Sequence, residues 1–523
     1  MTRFLKAFIA GALIVGSLAG CGNPTGQEQS GRIELTYWCN MPAAMAAFAQ
    51  SMDEMTMYKQ MEKQTGIKIK FVHPPSGQAK EQFNLMIASR ELTDLIEYNW
   101  IASYPGGPDK AINDNVIIKL NDIIEKKAPN FYKAMKADTS YDKQSKTDSG
   151  TYYGFPTLVR GNYRTFGGLL IRQDWLDDLG LPSPNTLEEW ETTLRAFQRQ
   201  KGAQYPFTAT NSIFSMINIA GHFNNFYDIG LGVYVDNGKV KLAQLEPGYK
   251  DFIMLMNKWY KEGLLDNQYD TNNSSAVDAK MTNGTSGVTY GFIGATIGRY
   301  MSAMSEKDPN YNLTAAQYPL PVAGGEPRFM EYQNDSQEPQ VVVTTANKHP
   351  QETVAWLDYL YSPEGDILKN FGVEGFTFQM VDNKPVYTDE ILNNPAGLSI
   401  AEAMAKHFRA NAPFPGFSQH EDYLMQYYQL PQQRDALLIW TKYSDNAKDI
   451  IVPRSVVPSI DEAEEISVIQ STITTYIEEM TLKFIKGTTP ISEYDKFVKK
   501  LHELDALRFV ELRQAAFDRY NKR

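Results

Sequence analysis

Two short contexts carry the chemistry most open to reading in this 523-residue chain, Trp38-Cys39-Asn40 and Asn99-Trp100. Each sets an indole beside a carboxamide, just past a segment of strand pattern. A flat ring stacks on apolar C–H faces and an amide bonds a rim of hydroxyls, so the pair suits a sugar ring. The competing assignment is a tryptophan packed between a strand end and a helix. Tyr290 and Phe292, in Val288-Thr289-Tyr290-Gly291-Phe292, pose the same choice. Arg160, Asn162, Tyr163 and Arg164 follow a strand-like Tyr153-Gly154-Phe155-Pro156 where the chain passes between lobes. A guanidinium fork at a cleft bonds hydroxyls or pairs with a uronate carboxylate. Arg160 and Tyr163 are taken as site residues, whereas Arg164 suits a solvated loop equally well. Trp190, Trp259 and Trp356 have apolar neighbours at helical spacing and read as core, as does Trp175; Trp440 in Leu437-Leu438-Ile439-Trp440 fits core or site, with core preferred.

Catalytic signatures are missing. The chain has no G-x-S-x-G elbow, H-E-x-x-H helix, P-loop or G-x-G-x-x-G turn. Ser140-x-x-Lys143 and Ser444-Asp445-Asn446 match two motifs of penicillin-recognising enzymes, but they stand about 300 residues apart without a K-T-G. The six histidines show no ligand spacing, and His420-Glu421-Asp422 reads as a solvated loop. A carboxylate pair for glycoside hydrolysis is set in space and stays open. The formal charge of −11 offers no basic excess for nucleic acid. Two cysteines supply neither a disulfide framework nor a multi-Cys zinc site.

The elements that must position these residues are legible in the hydrophobic periodicity. Ile33, Leu35 and Tyr37 alternate with polar neighbours, as do Ile67, Ile69 and Phe71, and 94–98 forms a third strand. Helices are expected over roughly 43–65 and 78–90, which makes successive parallel βαβ units with ligands beyond the strands' carboxyl ends. A second α/β unit begins near residue 160. Thr186-x-x-Glu189 and Ser459-x-x-Glu462 are capping boxes, and Asp236-Asn237-Gly238 marks a hairpin. Ile466, Ile469, Ile473, Ile477, Met480 and Phe484 stripe one long helix in a largely helical C-terminal region.

The N-terminus sets the compartment. Arg3 and Lys6 precede a short apolar run too brief for a comfortable membrane span, which reads as a secretory signal. Leu18-Ala19-Gly20-Cys21 resembles a bacterial lipobox, implying cleavage before Cys21 and a diacylglyceryl thioether on its sulfur. Removing two cations and no acidic residue takes the charge from −11 to −13. Cys39 is then an unpartnered, packed thiol.

Four further segments complete a resemblance. They are Ser149-Gly150-Thr151-Tyr152-Tyr153-Gly154-Phe155-Pro156, Arg172-Gln173-Asp174-Trp175-Leu176 running to Leu179-Gly180-Leu181, Asn347-Lys348-His349-Pro350 through Ser362-Pro363-Glu364-Gly365, and Tyr494-Asp495 continuing to Ala516-Phe517-Asp518-Arg519-Tyr520. With the lipobox, they make the chain similar to the family 1 extracellular solute-binding proteins of ABC sugar importers, in the large lipoprotein branch of Gram-positive bacteria. The resemblance implies an α/β, two-lobe, periplasmic-binding-protein-like (type II) fold with an interlobe cleft and a helical C-terminus. The expected division is signal peptide 1–20, lipid-anchored tether 21–31, first lobe 32–160 and second lobe 161–338. A return segment to the first lobe follows at 339–375, and 376–523 completes the second lobe and hinge.

By the same resemblance, Trp38, Asn40, Asn99, Trp100, Arg160, Tyr290 and Phe292 face the cleft, and Tyr163 is taken with them from its place in the crossover. The implied protein is no enzyme. It is an extracytoplasmic, membrane-anchored monomer that closes on an oligosaccharide and delivers it to an ABC permease, without cofactor. A glycan-active enzyme, or a peptide or uronate binder on the same fold, remains the alternative. Many members of this branch carry a calcium loop after the Trp190-type helix. Here that stretch reads Arg199-Gln200-Lys201-Gly202-Ala203-Gln204-Tyr205-Pro206, with no carboxylate for a hard cation, so no calcium is expected there.

Overall fold

The structure, a computed structural model, describes residues 32–210, 225–230, 232–320, 322–409, 414–418 and 420–523. Cys21 and the expected signal and tether lie outside them. Thirteen strands can be named among the described residues. They are β1 (Glu34–Trp38), β2 (Lys68–Val72), β3 (Leu95–Tyr98), β4 (Phe155–Val159), β5 (Gly167–Arg172), β6 (Val233–Asp236) and β7 (Lys239–Leu242). The rest are β8 (Val288–Phe292), β9 (Leu313–Ala315), β10 (Ser336–Val343), β11 (Phe378–Val381), β12 (Lys384–Tyr387) and β13 (Gly416–Ser418).

The first lobe is built on a six-stranded sheet of order β13-β4-β10-β3-β1-β2. β1 pairs in parallel with β2 and β3, and β13 with β4, while β10 runs antiparallel to both β3 and β4. All strands but β10 therefore deliver their carboxyl ends to one edge, where ligands of such sheets sit. The second lobe centres on a three-stranded antiparallel sheet, β8-β5-β9. Leu169 and Ile171 on β5 face a core with Trp190, Phe197 and Trp259, which the long helix Ile460–Lys486 completes through Ile466, Ile469, Ile473 and Ile477. Both capping boxes form, at Thr186/Glu189 and Ser459/Glu462. The β6–β7 hairpin turns through Asn237 and Gly238 at φ 49° and 76°, the positive pair that a tight hairpin needs.

Two expectations need correction. The helix expected over 43–65 is broken into Ala43–Ala46, a 3-10 turn Met52–Glu54 and Thr56–Thr65. Ser51 and Met55 adopt extended backbone, which turns Met52, Met55 and Met57 into the core, so burial overrides helix propensity there. The segment 376–523 does not belong wholly to the second lobe and hinge. It gives β13 to the first sheet and Ala403, Met404, Phe408 and Phe414 to the core cluster that holds Leu35, Tyr37 and Met57 of the first lobe.

Among the described residues, three connections join the lobes. The stretch 160–166 links β4 to β5, 316–335 links β9 to β10, and a third leaves β13. The first two are stitched together. Gln333 N–H donates to Arg164 O at 2.9 Å, Val159 N–H to Asp335 O at 2.9 Å, and the Thr165 hydroxyl to Glu331 O at 2.7 Å.

Candidate functional site

The strand ends differ in what they leave open. At the ends of β1 and β3, Trp38 and Trp100 are packed inside, which is the alternative weighed for them. Trp38 meets Tyr98 edge-on at 5.5 Å and Phe83 at 6.2 Å; Trp100 meets Phe83 at 5.3 Å and stacks near Tyr104 at 5.8 Å. The cause is local. Asn99 caps the helix Trp100–Ser103, its Oδ1 accepting from Ala102 N–H at 3.0 Å, and the chain folds Trp100 under at once. Asn40 stays exposed and Asn99 half-buried. Cys39 is buried and forms no disulfide, and burial pushes its thiol pKa up.

The end of β4 is open. Arg160 is half-buried, its guanidinium 3.7 Å above the Phe417 ring and ion-paired to Asp366. Asp366 also accepts from Asn370 Nδ2 at 3.0 Å, and burial raises its pKa against the opposing pull of Arg160. Arg160, Asn162 and Tyr163 line a cavity of about 660 Å³ with His420 and Glu421 on one side and Leu438, Thr441 and Lys442 on another. The Tyr163 hydroxyl donates to Glu421 Oε1 at 3.3 Å, and burial then Glu421 raise its pKa. His420 and Glu421 thus form a wall of this cavity rather than the solvated loop expected of them. Arg164 is no solvated loop residue either. It is buried and paired with Asp335 at 3.0 Å.

The second lobe brings Tyr290 and Phe292 to the same crossover. Phe292, at the end of β8, pairs with Gly167, the first residue of β5 after the connection. Phe292 is 44% exposed, whereas Tyr290 is buried and meets it edge-on at 5.5 Å. Glu331 completes the group, accepting from Phe166 N–H at 3.2 Å and from Gly167 N–H. A Cβ at Gly167 would lie 2.3 Å from the Tyr290 hydroxyl and 3.0 Å from both Glu331 Oε2 and Phe292 Cδ1, so only glycine lets the three converge. Burial lifts Glu331 to about 7.

On the first-lobe side Glu338 accepts from the Tyr153 hydroxyl at 2.8 Å and from the backbone N–H groups of Gln340 and Trp100; burial lifts it, too, to about 7. Asp366, Phe417, Glu331 and Glu338 were not among the residues expected from sequence. No local signal marks them, since Arg160 and Asp366 lie 206 residues apart.

Among the described residues, no group of three or more His, Cys, Asp or Glu is placed to hold a metal ion, and no helix is long and apolar enough to cross a membrane. At Arg199–Pro206, Lys201 Nζ pairs with Asp178 at 2.5 Å.

Residues 40–367 match the family described as bacterial extracellular solute-binding protein. The chain is 25% identical to lipoprotein LipO of Bacillus subtilis over 423 residues, spanning 77% of this chain and 79% of LipO. It is 22% identical over 531 residues to the fructooligosaccharide ABC transporter substrate-binding protein FusA of Streptococcus pneumoniae, covering 92% of this chain and 90% of FusA. Its fold superposes on an HMO-binding, ABC-transporter-associated solute-binding protein from Bifidobacterium longum infantis with a TM-score of 0.74 at 18% identity, over 94% of this chain and 99% of that one.

Proposed function

Because the chain belongs to the bacterial extracellular solute-binding family, we propose that it captures an oligosaccharide between its lobes and delivers it to the permease of an ABC importer. The observation that carries this is a cavity of about 660 Å³ lined by Arg160 and Tyr163 where β4 leaves the first lobe, with exposed Phe292 paired to Gly167 at the far end of that crossover. A relative aligned over nine-tenths of both chains, FusA, is named for binding fructooligosaccharides. Tyr290 backs Phe292, Asn40 and Asn99 extend the site along the first sheet's edge, and Trp38 and Trp100 shape that edge from beneath. Asn40 and Arg160 follow strands three places apart in the sheet, roughly 14 Å at the usual interstrand spacing. Such a span suits an oligomer better than a single ring.

Function then follows from a population shift. A ligand that touches both lobes favours the closed arrangement, and the closed arrangement is what a permease recognises. No covalent step on the sugar is called for. Cys21 in its lipobox would carry the lipid anchor that holds a monomer at the outer face of the cell membrane, with residues after Cys21 as a polar tether.

Incubation of the purified chain with oligosaccharides tests the proposal. The expected result is chemically unchanged sugar and a raised melting temperature, since ligand at 100 times Kd stabilises by about 2.7 kcal/mol. Turnover of the sugar would instead support a glycan-active enzyme. Cys21→Ser is expected to move the protein from the membrane fraction to the medium, as immunoblots of the two fractions would show; retention on the membrane would exclude lipidation.

A further inference from the structure

Resting on the sugar-binding proposal above, we infer that the ligand is electrically neutral and that uronate-bearing oligosaccharides are refused at this site. The charges around the crossover carry the argument. The two arginines of the first connection are already spoken for by carboxylates, while exposed Arg454 acts from further off on Glu331. Arg160 is paired with Asp366 and stacked on Phe417, and Arg164 is paired with Asp335 at 3.0 Å, both partners buried. A uronate carboxylate could recruit Arg160 only by drawing it off Asp366, which is itself buried and would lose its ion-paired partner, keeping only the weaker pull of His420 and Lys369.

The acids are arranged the other way. Glu331, Glu338 and Glu421 form no ion pair among the described residues; they accept from backbone N–H groups and tyrosine hydroxyls instead. Carboxylates of this kind accept from sugar hydroxyls, and Glu421, exposed in the cavity wall with Asp445, repels a carboxylate-bearing ring. Among the described residues Lys442 is the other cation in the cavity wall. Its ammonium lies 4.8 Å above the Tyr443 ring, and Glu421 and Asp445 share the wall with it. No further lysine or arginine can come from the stretches not described between residues 32 and 523. Residues 211–224, 231, 321, 410–413 and 419 contain no lysine or arginine.

Titration calorimetry near neutral pH and low salt decides the matter, with fructo- and galacto-oligosaccharides set against oligogalacturonides of matched length. The expected result is saturable binding of a neutral series and at least tenfold weaker binding of the acidic one. The ratio should narrow as salt screens the repulsion. Equal or tighter binding of oligogalacturonides overturns this inference while leaving the sugar-binding proposal standing. Silence from every sugar overturns that proposal and the inference with it. Asp366→Asn, which frees Arg160, is expected to shift preference toward the acidic series by several-fold. Should that variant not fold, Glu421→Gln at an exposed position serves instead, and is expected to narrow the neutral-to-acidic ratio. An unchanged ratio in the folded variant contradicts the inference.

Discussion

The strand ends of β1 and β3 and those of β4 and β8 both present candidate site residues and end with opposite outcomes. Trp38 and Trp100 follow strands, stand beside asparagines, and are almost wholly buried. Arg160, Tyr163 and Phe292 also follow or end strands, and each keeps surface available. What separates them is the next element. A helix capped by Asn99 starts at Trp100 and turns the indole onto Phe83 and Tyr104. Arg160 runs into Gly161-Asn162 and a crossover toward the other lobe, with no helix to fold it under. Residue type and strand-end position nominate candidates; the element that follows decides which of them meets solvent.

That contrast can be broken at its strongest point first. Trp100→Ala is expected to cost about 3–5 kcal/mol of stability, the range for deleting a large buried aromatic, read as a lowered denaturation midpoint. A midpoint within experimental scatter of the parent would mean Trp100 is not the packing residue described. Phe292→Ala should do the reverse, weakening sugar binding by about tenfold or more while leaving the thermal melt nearly unchanged. Comparable affinity loss in the two variants would erase the distinction between the edges.

The two raised carboxyls refine the comparison, since Glu338 accepts from Trp100 N–H and Glu331 lies beside Gly167 opposite Phe292. Both are held to about 7 by burial, against an ordinary value of 4.5. Their folded forms bind a proton more readily than the unfolded chain does. Their contribution to stability is therefore complete below about pH 4.5 and is lost as pH rises through about 7. Melting temperature is expected to fall between about pH 5 and pH 8, with Glu331→Gln and Glu338→Gln each flattening part of the slope. A slope unchanged in both variants would place the titration elsewhere. The smallest effect belongs to Asn40→Ala. Exposed at the end of β1, it is expected to lower affinity by about twofold to threefold in calorimetry, with no change in stability.

Much of the framework was legible from sequence because it is local. Alternation at Leu35 and Tyr37, the capping boxes at Thr186 and Ser459, and the positive-φ turn at Asn237-Gly238 each depend on a few neighbouring residues. The family resemblance was legible for the same reason, carried by short ordered segments. The break at Ser51 was not, because it is the burial of Met52, Met55 and Met57 against distant strands that pulls the backbone out of helix. Nor was the return of β13 to the first sheet, or the partnering of Arg160 by Asp366 and Phe417. Those contacts span more than 200 residues and are fixed by how three connections cross between the lobes. Of the expected site residues, Arg160, Tyr163 and Phe292 are left accessible by that crossing, while the two tryptophans are taken inside.

The most direct measurement is amide hydrogen exchange of the mature chain with and without a saturating oligosaccharide. Slowed exchange concentrated at 160–167, 288–292 and 331–338, with the sugar recovered intact, is the result expected of a ligand held at the crossover. Unchanged exchange there, with protection confined to surfaces remote from the lobe junction, would contradict it.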